Sequence, residues 1–486
     1  MRYVLTADEV RAAERAVNAQ GVDNIYLRFN AALAVADALA ERARSGGVSI
    51  FCGPGGNGAD GLIAAARLKS TGADARAFLT VEAERSATIR DAVAYAVNAG
   101  VEVKPCAEYD GGGAVIVDAI YGIGLNKPIT GETAKLIEQL DKEKNAFRLA
   151  LDIPSGLDAD TGEIHGTAFR AHMTLTFSCY KRGMLFGSGR DVCGKIAVAD
   201  VGIPTESGLR VYENADFKPY IRSDGAHKGT SGRVYCIGGC GTMIGAPIMA
   251  GAAAHAAYLN GAGVVTVCVP SIHRVALSAR TVAATMRFMP DDADGFIKFD
   301  KPALDGIIKD AAAIVIGMGM GAAPDLKKIL EYLNENYGGA LVIDADALNA
   351  LAGDPSPIKG GKAKKIITPH VGEFRRLTGK PETIENAVSL ATELGCVVVL
   401  KSATTVVTDG KETRVNVVGT PAMAKGGTGD VLGGCIAALC CSYPPIDAAT
   451  IACYRNGVGA ERAVSSYAEM MLTPEDILHM ANYPEL

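Results

Sequence analysis

Residues 424–430 read Ala-Lys-Gly-Gly-Thr-Gly-Asp, between an extended stretch, VNVVGTPAM (415–423), and an apolar helical one, DVLGGCIAALCC (430–441). Glycines at a helix entrance leave backbone N–H groups bare to face an anion, and the positive end of the helix dipole adds to the attraction. Gly426, Gly427, Thr428 and Gly429 are therefore candidate phosphate ligands. Asp430 falls in the first turn of the helix. A carboxylate is a poor phosphate ligand, so Asp430 is read as the base that takes the proton of a hydroxyl attacking phosphorus. A plainer alternative has Thr428 capping the helix and Asp430 complementing its dipole; it leaves the three glycines unexplained. The stretch is not a Walker loop, because no Gly-Lys-Ser/Thr follows four variable residues.

Upstream, strand and helix patterns alternate through VVTVCVP, AAIVIGMGMG (312–321), ALVIDADALN, KIITPHVGEF and VVVLKSATTVVTDG. The alternation implies a layered α/β domain with a mainly parallel sheet. Gly317, Gly319 and Gly321 mark one strand end, Asp344 and Asp346 follow another, and GGCGTMIGA leads into a small-residue helix over 247–261. His370 stands after a strand, beside Pro369 and at a helix start, which suits either a ligand or a structural role. Lys401-Ser402-Ala403-Thr404-Thr405 either meets nucleotide phosphate and ribose or opens a solvated hairpin.

The first half repeats the theme. Thr6-Ala7-Asp8-Glu9 is a capping box opening a helix, and an alanine-rich helix follows over 30–47. VSIFC (48–52) meets GPGGNGADG (53–61) and then a helix, LIAAARL. Gly53, Gly55 and Gly58 satisfy G-x-G-x-x-G, yet Pro54 is rigid and no acid ends the next strand to hold a ribose, so the dinucleotide fingerprint is weak. Asn57 and Asp60 are polar where glycine would serve, as ligands or as Asx-turn formers. Apolar strands also end at Asp118, before a glycine-rich loop, and at Asp152, with Ser155 after it. In a doubly wound sheet these strand ends share one edge, so Asn57, Asp60, Asp118, Asp152 and Ser155 are expected to converge.

At 486 residues the chain is too long for one ordinary core and implies two or three domains. Hydrophobic residues at 49% and charged ones at 21% describe a globular protein. A net charge of −6 without a basic run argues against nucleic acid as a partner. No apolar run reaches the ~18 residues of a membrane span, and MRYVLTADEV lacks the layout of a signal peptide. The 12 cysteines are scattered through apolar segments without a CxxC, so they read as reduced thiols of a cytoplasmic protein rather than zinc ligands.

GPGGNGADGLIAAARL, DAIYGIGL, LDIPSGLDADTG and HMTLTFSCYKRGM with GKIAVADVGIP (172–204) resemble the NAD(P)H-hydrate epimerase family. The resemblance implies a Rossmann-like three-layer domain over residues 1–216. Carried over by position, Asn57, Asp118 and Ser155 hold potassium. Gly56, Asn57, Gly58, Ala59 and Asp60, with the loop Gly122-Ile123-Gly124-Leu125-Asn126-Lys127-Pro128, bind the hydrate, and Asp152 acts beside the reacting carbon. Gly56 replaces the family's first asparagine, Ala59 a glycine, and Phe29-Asn30-Ala31-Ala32 stands for Glu-Asn-Ala-Gly. A degenerate scaffold domain is the alternative that these departures raise.

GMGMG, DADALN, TPHVGEF, LKSATTVV and AKGGTGDVLGG similarly look like the ADP/ATP-dependent NAD(P)H-hydrate dehydratases, a ribokinase-like branch, over residues 217–486. By position, Ala246, Gly319 and His370 bind the hydrate, residues 401–405 and Gly429 the nucleotide, and Asp430 is the base. Asn456 departs from the family's usual His-Gly. Together the resemblances imply repair of hydrated NADH and NADPH: epimers interconvert, then the S form is dehydrated with release of AMP and phosphate. ADP, or ATP, donates the phosphoryl group, with magnesium on its phosphates. The expected partners are this small molecule and further copies of the chain, with neither nucleic acid nor membrane. A ribokinase-like kinase for a vitamin-precursor alcohol is the rival reading.

Overall fold

The computed structural model describes residues 2–213, 216–217, 231–256, 262–278, 284–466 and 471–481. The chain divides into two compact units, Arg2–Leu209 and Arg210–Leu486. The junction read from the sequence, between residues 216 and 217, borders a stretch, 218–230, outside the described residues.

The first unit contains β1 (Arg2–Leu5), β2 (Val48–Cys52), β3 (Ala75–Leu79), β4 (Glu102–Pro105), β5 (Val115–Ala119), β6 (Phe147–Leu151), β7 (Met173–Phe177), β8 (Tyr180–Lys181) and β9 (Lys195–Ala199). Seven of them form one sheet in the order β4-β3-β2-β5-β6-β7-β9, with every pairing parallel. All five residues of VSIFC are buried, as a strand covered on both faces requires. Helices Asn24–Leu39 and Gly56–Ser70 bring Val35, Leu39, Leu62 and Ala65 into the core on one face. Phe51, Phe78, Tyr109, Ile137 and Phe169 fill the other. Strand order reverses between β2 and β5, so a crevice opens beyond their C-terminal ends.

Thr6 and Glu9 form the expected capping box on helix Ala7–Ala19. The glycine-rich motif sits differently from its sequence reading. Gly55 is the N-cap, and residues 56–60 are the first turn of the helix rather than a loop ahead of LIAAARL. Gly58 permits this early start, since a β-carbon there would overlap the Gly53 carbonyl.

Leu209–Val211 is β10. The second unit continues with β11 (Arg233–Gly238), β12 (Val264–Pro270), β13 (Thr285–Met289), β14 (Ala313–Met318), β15 (Ala340–Ile343), β16 (Lys364–Ile367), β17 (Val397–Leu400), β18 (Thr405–Thr408) and β19 (Thr413–Asn416). Their order is β13-β12-β11-β14-β15-β16-β17-β18-β19. Pairing is parallel as far as β17, and β18 and β19 add on as antiparallel hairpins. Here the order reverses between β11 and β14. Helix Thr428–Leu439 contributes Cys435, Ile436 and Ala438 to the core beneath this sheet.

In the first unit the alanine-rich helix runs Asn24–Leu39, with a short turn Arg42–Ser45, instead of 30–47. Two boundaries in the second unit also depart from the sequence reading. VNVVGTPAM is not extended throughout: β19 ends at Asn416, and Pro421–Met423 is a 3-10 turn with Thr420 capping it. Pro421 has no N–H to carry a strand ladder further. The small-residue helix spans Gly245–Ala256 instead of 247–261, and residues 257–261 lie outside the described part.

No helix among the described residues is long and apolar enough to cross a membrane. All 12 cysteines are free, and each is buried or half-buried. Burial pushes the thiols of Cys106, Cys268, Cys396 and Cys453 up to about 12.

Candidate functional site

Each unit carries its own site, at the C-terminal edge of its sheet. In the first unit a cavity of about 640 Å³ lies beyond β2, β5 and β6. Gly56, Asn57, Asp60, the whole loop Gly122–Pro128 and Asp152 line it. Gly58 and Ala59 do not; they are buried in the helix that follows β2.

Asn57, Asp118 and Ser155 come together around the backbone of Tyr121. Asn57 Nδ2 donates to the Tyr121 carbonyl at 3.2 Å, and the Tyr121 N–H donates to Ser155 Oγ at 2.8 Å. Ser155 in turn donates through Oγ and its N–H to the Asp118 carboxylate, at 2.6 and 2.7 Å. Burial pushes fully enclosed Asp118 up to about 6, with these bonds opposing. Asn57 Oδ1 is buried and has no hydrogen-bond partner. A bare interior acceptor beside a buried carboxylate suits a hard monovalent cation, so these residues fit a potassium ion.

Asp152 takes a left-handed backbone, φ 63°, at the turn after β6. Its carboxylate is ion-paired to Lys181 and accepts the Phe177 N–H at 3.4 Å. Lys181 is 1% exposed and also donates to Thr176 Oγ1 and the Phe177 carbonyl, both at 2.9 Å. Asp60 is pushed up to about 7 by burial, with Arg28 opposing and Asp152 and Glu14 adding to the rise. Arg28 Nη1 donates to Asp60 Oδ1 at 2.9 Å and to the Gly56 carbonyl at 2.8 Å. A β-carbon at residue 56 would lie 3.4 Å from Arg28 Nη2, in ordinary van der Waals contact with the guanidinium.

Sequence reasoning assigned nothing to Lys181, Arg28 or Glu14. Lys181 lies inside the quoted stretch HMTLTFSCYKRGM, and a lysine closing an apolar run was the available signal. Arg28 gave none.

In the second unit Gly319 follows β14, and Ala246 stands at the start of the helix after the neighbouring β11. A β-carbon on Gly319, whose φ is 63°, would lie 3.5 Å from that of Ala246. Asp344, His370 and Lys401 follow the C-termini of β15, β16 and β17 in turn. The exposed imidazole of His370 caps helix Val371–Thr378: Nδ1 accepts the Gly372 and Glu373 N–H groups at 2.9 and 3.3 Å. Nε2 is left toward the edge, 3.5 Å from Glu373 Oε1. The capping role of His370 is therefore seen directly, through one nitrogen of the ring.

Lys401 is not a solvated hairpin lysine. Its Nζ is 2.8 Å from Asp344 Oδ1 and beside the Gly429 backbone, 3.5 Å from where a β-carbon would stand. Burial opposes its charge, but Asp344 and Glu373 outweigh burial and raise its pKa. In the stretch that follows, Ser402 and Ala403 are exposed, Thr405 half-buried, and Thr404 buried with Oγ1 unpartnered.

Gly427 is the N-cap of helix Thr428–Leu439, with φ 95° and no side chain capping the turn. This overturns the alternative in which Thr428 caps: it is the first helical residue, and its buried Oγ1 has no partner. An uncapped helix start with spare hydroxyls and an ammonium nearby fits nucleotide phosphates. Asp430 is pushed up to about 6, by burial first, then by Asp344 and Asp346, with Lys401 opposing. No group of three or more His, Cys, Asp or Glu among the described residues is placed to hold a metal. Magnesium here fits as an ion carried on substrate phosphates and not in a protein cage.

Comparison with known proteins agrees with this division. The NAD(P)H-hydrate dehydratase family matches residues 234–482, and the family described as YjeF-related protein N-terminus matches 26–183. The bifunctional NAD(P)H-hydrate repair enzyme Nnr of Pyrobaculum aerophilum is 32% identical, over 98% of this chain and 96% of its own. The chain belongs to the bifunctional NAD(P)H-hydrate repair enzyme family. A second member, from Moorella thermoacetica, is 32% identical over 99% of this chain and 96% of its own. That of Archaeoglobus fulgidus is 33% identical over 91% and 90%. Among solved structures, the Bacillus subtilis ADP/ATP-dependent NAD(P)H-hydrate dehydratase co-crystallized with ATP/Mg2+ is 26% identical. It covers 54% of this family member and 91% of its own chain, with a TM-score of 0.45.

Proposed function

We propose that this chain repairs hydrated NADH and NADPH, with residues 1–216 interconverting the two epimers and residues 217–486 dehydrating the S form. Family membership along nearly the whole chain carries the reading. The uncapped start of the helix that carries Asp430 supports its chemistry. In the second unit Ala246, Gly319 and His370 bind the hydrate, and residues 401–405 with Gly426–Gly429 bind ADP, or ATP, with its magnesium. Asp430 takes the proton of the hydrate's hydroxyl as its oxygen attacks the terminal phosphorus. AMP leaves when ADP is the donor. The ester C–O bond then breaks as the ring nitrogen's electron pair forms C=N, phosphate departs, and loss of a proton from the neighbouring ring carbon restores the ring double bond of NADH. Lys401 and the helix N–H groups offset the charge that builds on the transferred phosphoryl group.

In the first unit Asp152 works at the reacting carbon, and the loop 122–128 with Gly56, Asn57 and Asp60 surrounds the hydrate. Gly58 and Ala59 back this wall from inside the helix. Potassium, held by Asn57, Asp118 and Ser155, supplies fixed positive charge that orders this edge. The substitutions at residues 56 and 59 leave the cavity, Asp60 and Asp152 in place, which supports a working domain over a scaffold. Free thiols throughout support a cytoplasmic setting. The exposed apolar stripe Ile25, Tyr26, Phe29 and Leu33 supports a homo-oligomer.

The test is recovery of NADH absorbance from a mixed-epimer hydrate with ADP and magnesium, beside a control in which an isolated dehydratase exhausts the S form. Complete recovery faster than the control is expected. Recovery that stops at the S fraction and then creeps at the control's rate would mean a silent first domain. No recovery with ADP or ATP would overturn the reading in favour of a small-alcohol kinase.

A further inference from the structure

Epimerisation at the carbon beside the ring nitrogen moves a hydroxyl from one face of the ring to the other. One group must protonate the departing oxygen and another must deprotonate the arriving water. The cavity of the first unit offers carboxyl groups in different settings. Asp152, at the end of β6, is committed to the buried ammonium of Lys181. Asp60, in helix Gly56–Ser70, is committed to Arg28. Glu14, in helix Ala7–Ala19, lines the same cavity. Its carboxyl makes no hydrogen bond or ion pair among the described residues.

We infer that Glu14 is the second catalytic carboxyl of the epimerase cavity, the proton donor that works with Asp152 as acceptor. This rests on the epimerase reading above. Glu14 gives its proton to the hydroxyl of the hydrate. The C–O bond breaks, water leaves, and the ring nitrogen's electron pair closes a C=N bond. Water then adds to that carbon on the other face as the C=N pair returns to nitrogen, and Asp152 takes the proton released. Atoms and charge balance, with one proton moved from Glu14 to Asp152 and exchanged back through solvent. The groups that face Glu14 are Asp152, Lys181, Arg28, Arg11, Asp60 and Cys179. Burial first, and Asp152 second, raise its pKa, against the pull of Lys181, Arg28 and Arg11. A donor must be protonated, so the epimerase rate falls as pH rises through that raised value.

The experiment uses the full chain carrying Glu14→Gln and Glu14→Asp, with epimerisation of pure R hydrate followed across pH after subtraction of the spontaneous rate. Dehydration of pure S hydrate by the same samples is the internal reference. Glu14→Gln is expected to lose about 10²–10⁴-fold in epimerase kcat/KM and to lose the alkaline limb of the profile. Glu14→Asp should keep that limb, and dehydration should be unchanged in both. An unaltered rate in Glu14→Gln, or a reduced rate that keeps the limb, would overturn the inference. An unsubstituted chain that never exceeds the spontaneous rate would instead sink the epimerase reading itself.

Discussion

At the scale of single residues, the acids that matter follow strands, and that much is legible in a sequence. Asp118, Asp152, Asp344 and Asp430 each stand beside a glycine turn or at a strand or helix end, and topology brings such ends to one edge within each unit. Their partners were not legible. Lys181 and Arg28 have meaning only through Asp152 and through the Gly56 carbonyl with Asp60, contacts 29, 28 and 32 residues away along the chain. In sequence both are ordinary cations. The environment of Asp430 has a direct consequence for rate. The general base proposed here must be ionised, and burial, with Asp344 beside it, has pushed Asp430 up to about 6. Dehydration should therefore decline as pH falls through about 6. Asp430→Asn should cut the rate of NADH recovery from S hydrate by about 10²–10⁴-fold above that pH, while ADP binding by calorimetry is kept.

At the scale of elements, strand cores were legible because buried parallel strands are continuous apolar runs, such as VSIFC and AIVIGM. Element starts were less so, because glycine reads as a loop in sequence yet serves as close packing in the fold. Gly58 and Gly434 are such cases. Gly434, in helix Thr428–Leu439, faces the Ala250 carbonyl of helix Gly245–Ala256, where a β-carbon would overlap it. Backbone cannot yield as a flexible side chain does. Gly434→Ala should destabilise the second unit by about 1–3 kcal/mol, read from the urea midpoint, and weaken ADP binding, since this helix also presents Gly427 and Asp430. Gly426→Ala meets nothing within 4 Å and should leave stability unchanged.

At the scale of the molecule, two strand orders with separate reversal points give two sites in one chain. The alternation of strands and helices foretold two layered domains; the relation of particular loops across each edge needed the fold. Because each unit has its own core, ligands that bind one unit should act on that unit's unfolding. Potassium in place of lithium should raise the melting of Arg2–Leu209, and ADP with magnesium that of Arg210–Leu486. Each gain should be about 2.7 kcal/mol at a hundredfold excess over Kd. Asp118→Asn should abolish the potassium effect alone. The enclosed cysteines make this assignable without any added probe. Cys52, Cys106, Cys179 and Cys193 belong to the first unit, and the other eight to the second. Thiols shielded from solvent are slow to alkylate until their surroundings open. Brief pulses of an alkylating reagent, read peptide by peptide in a mass spectrometer, turn the chain into its own clock, timing when each half comes undone.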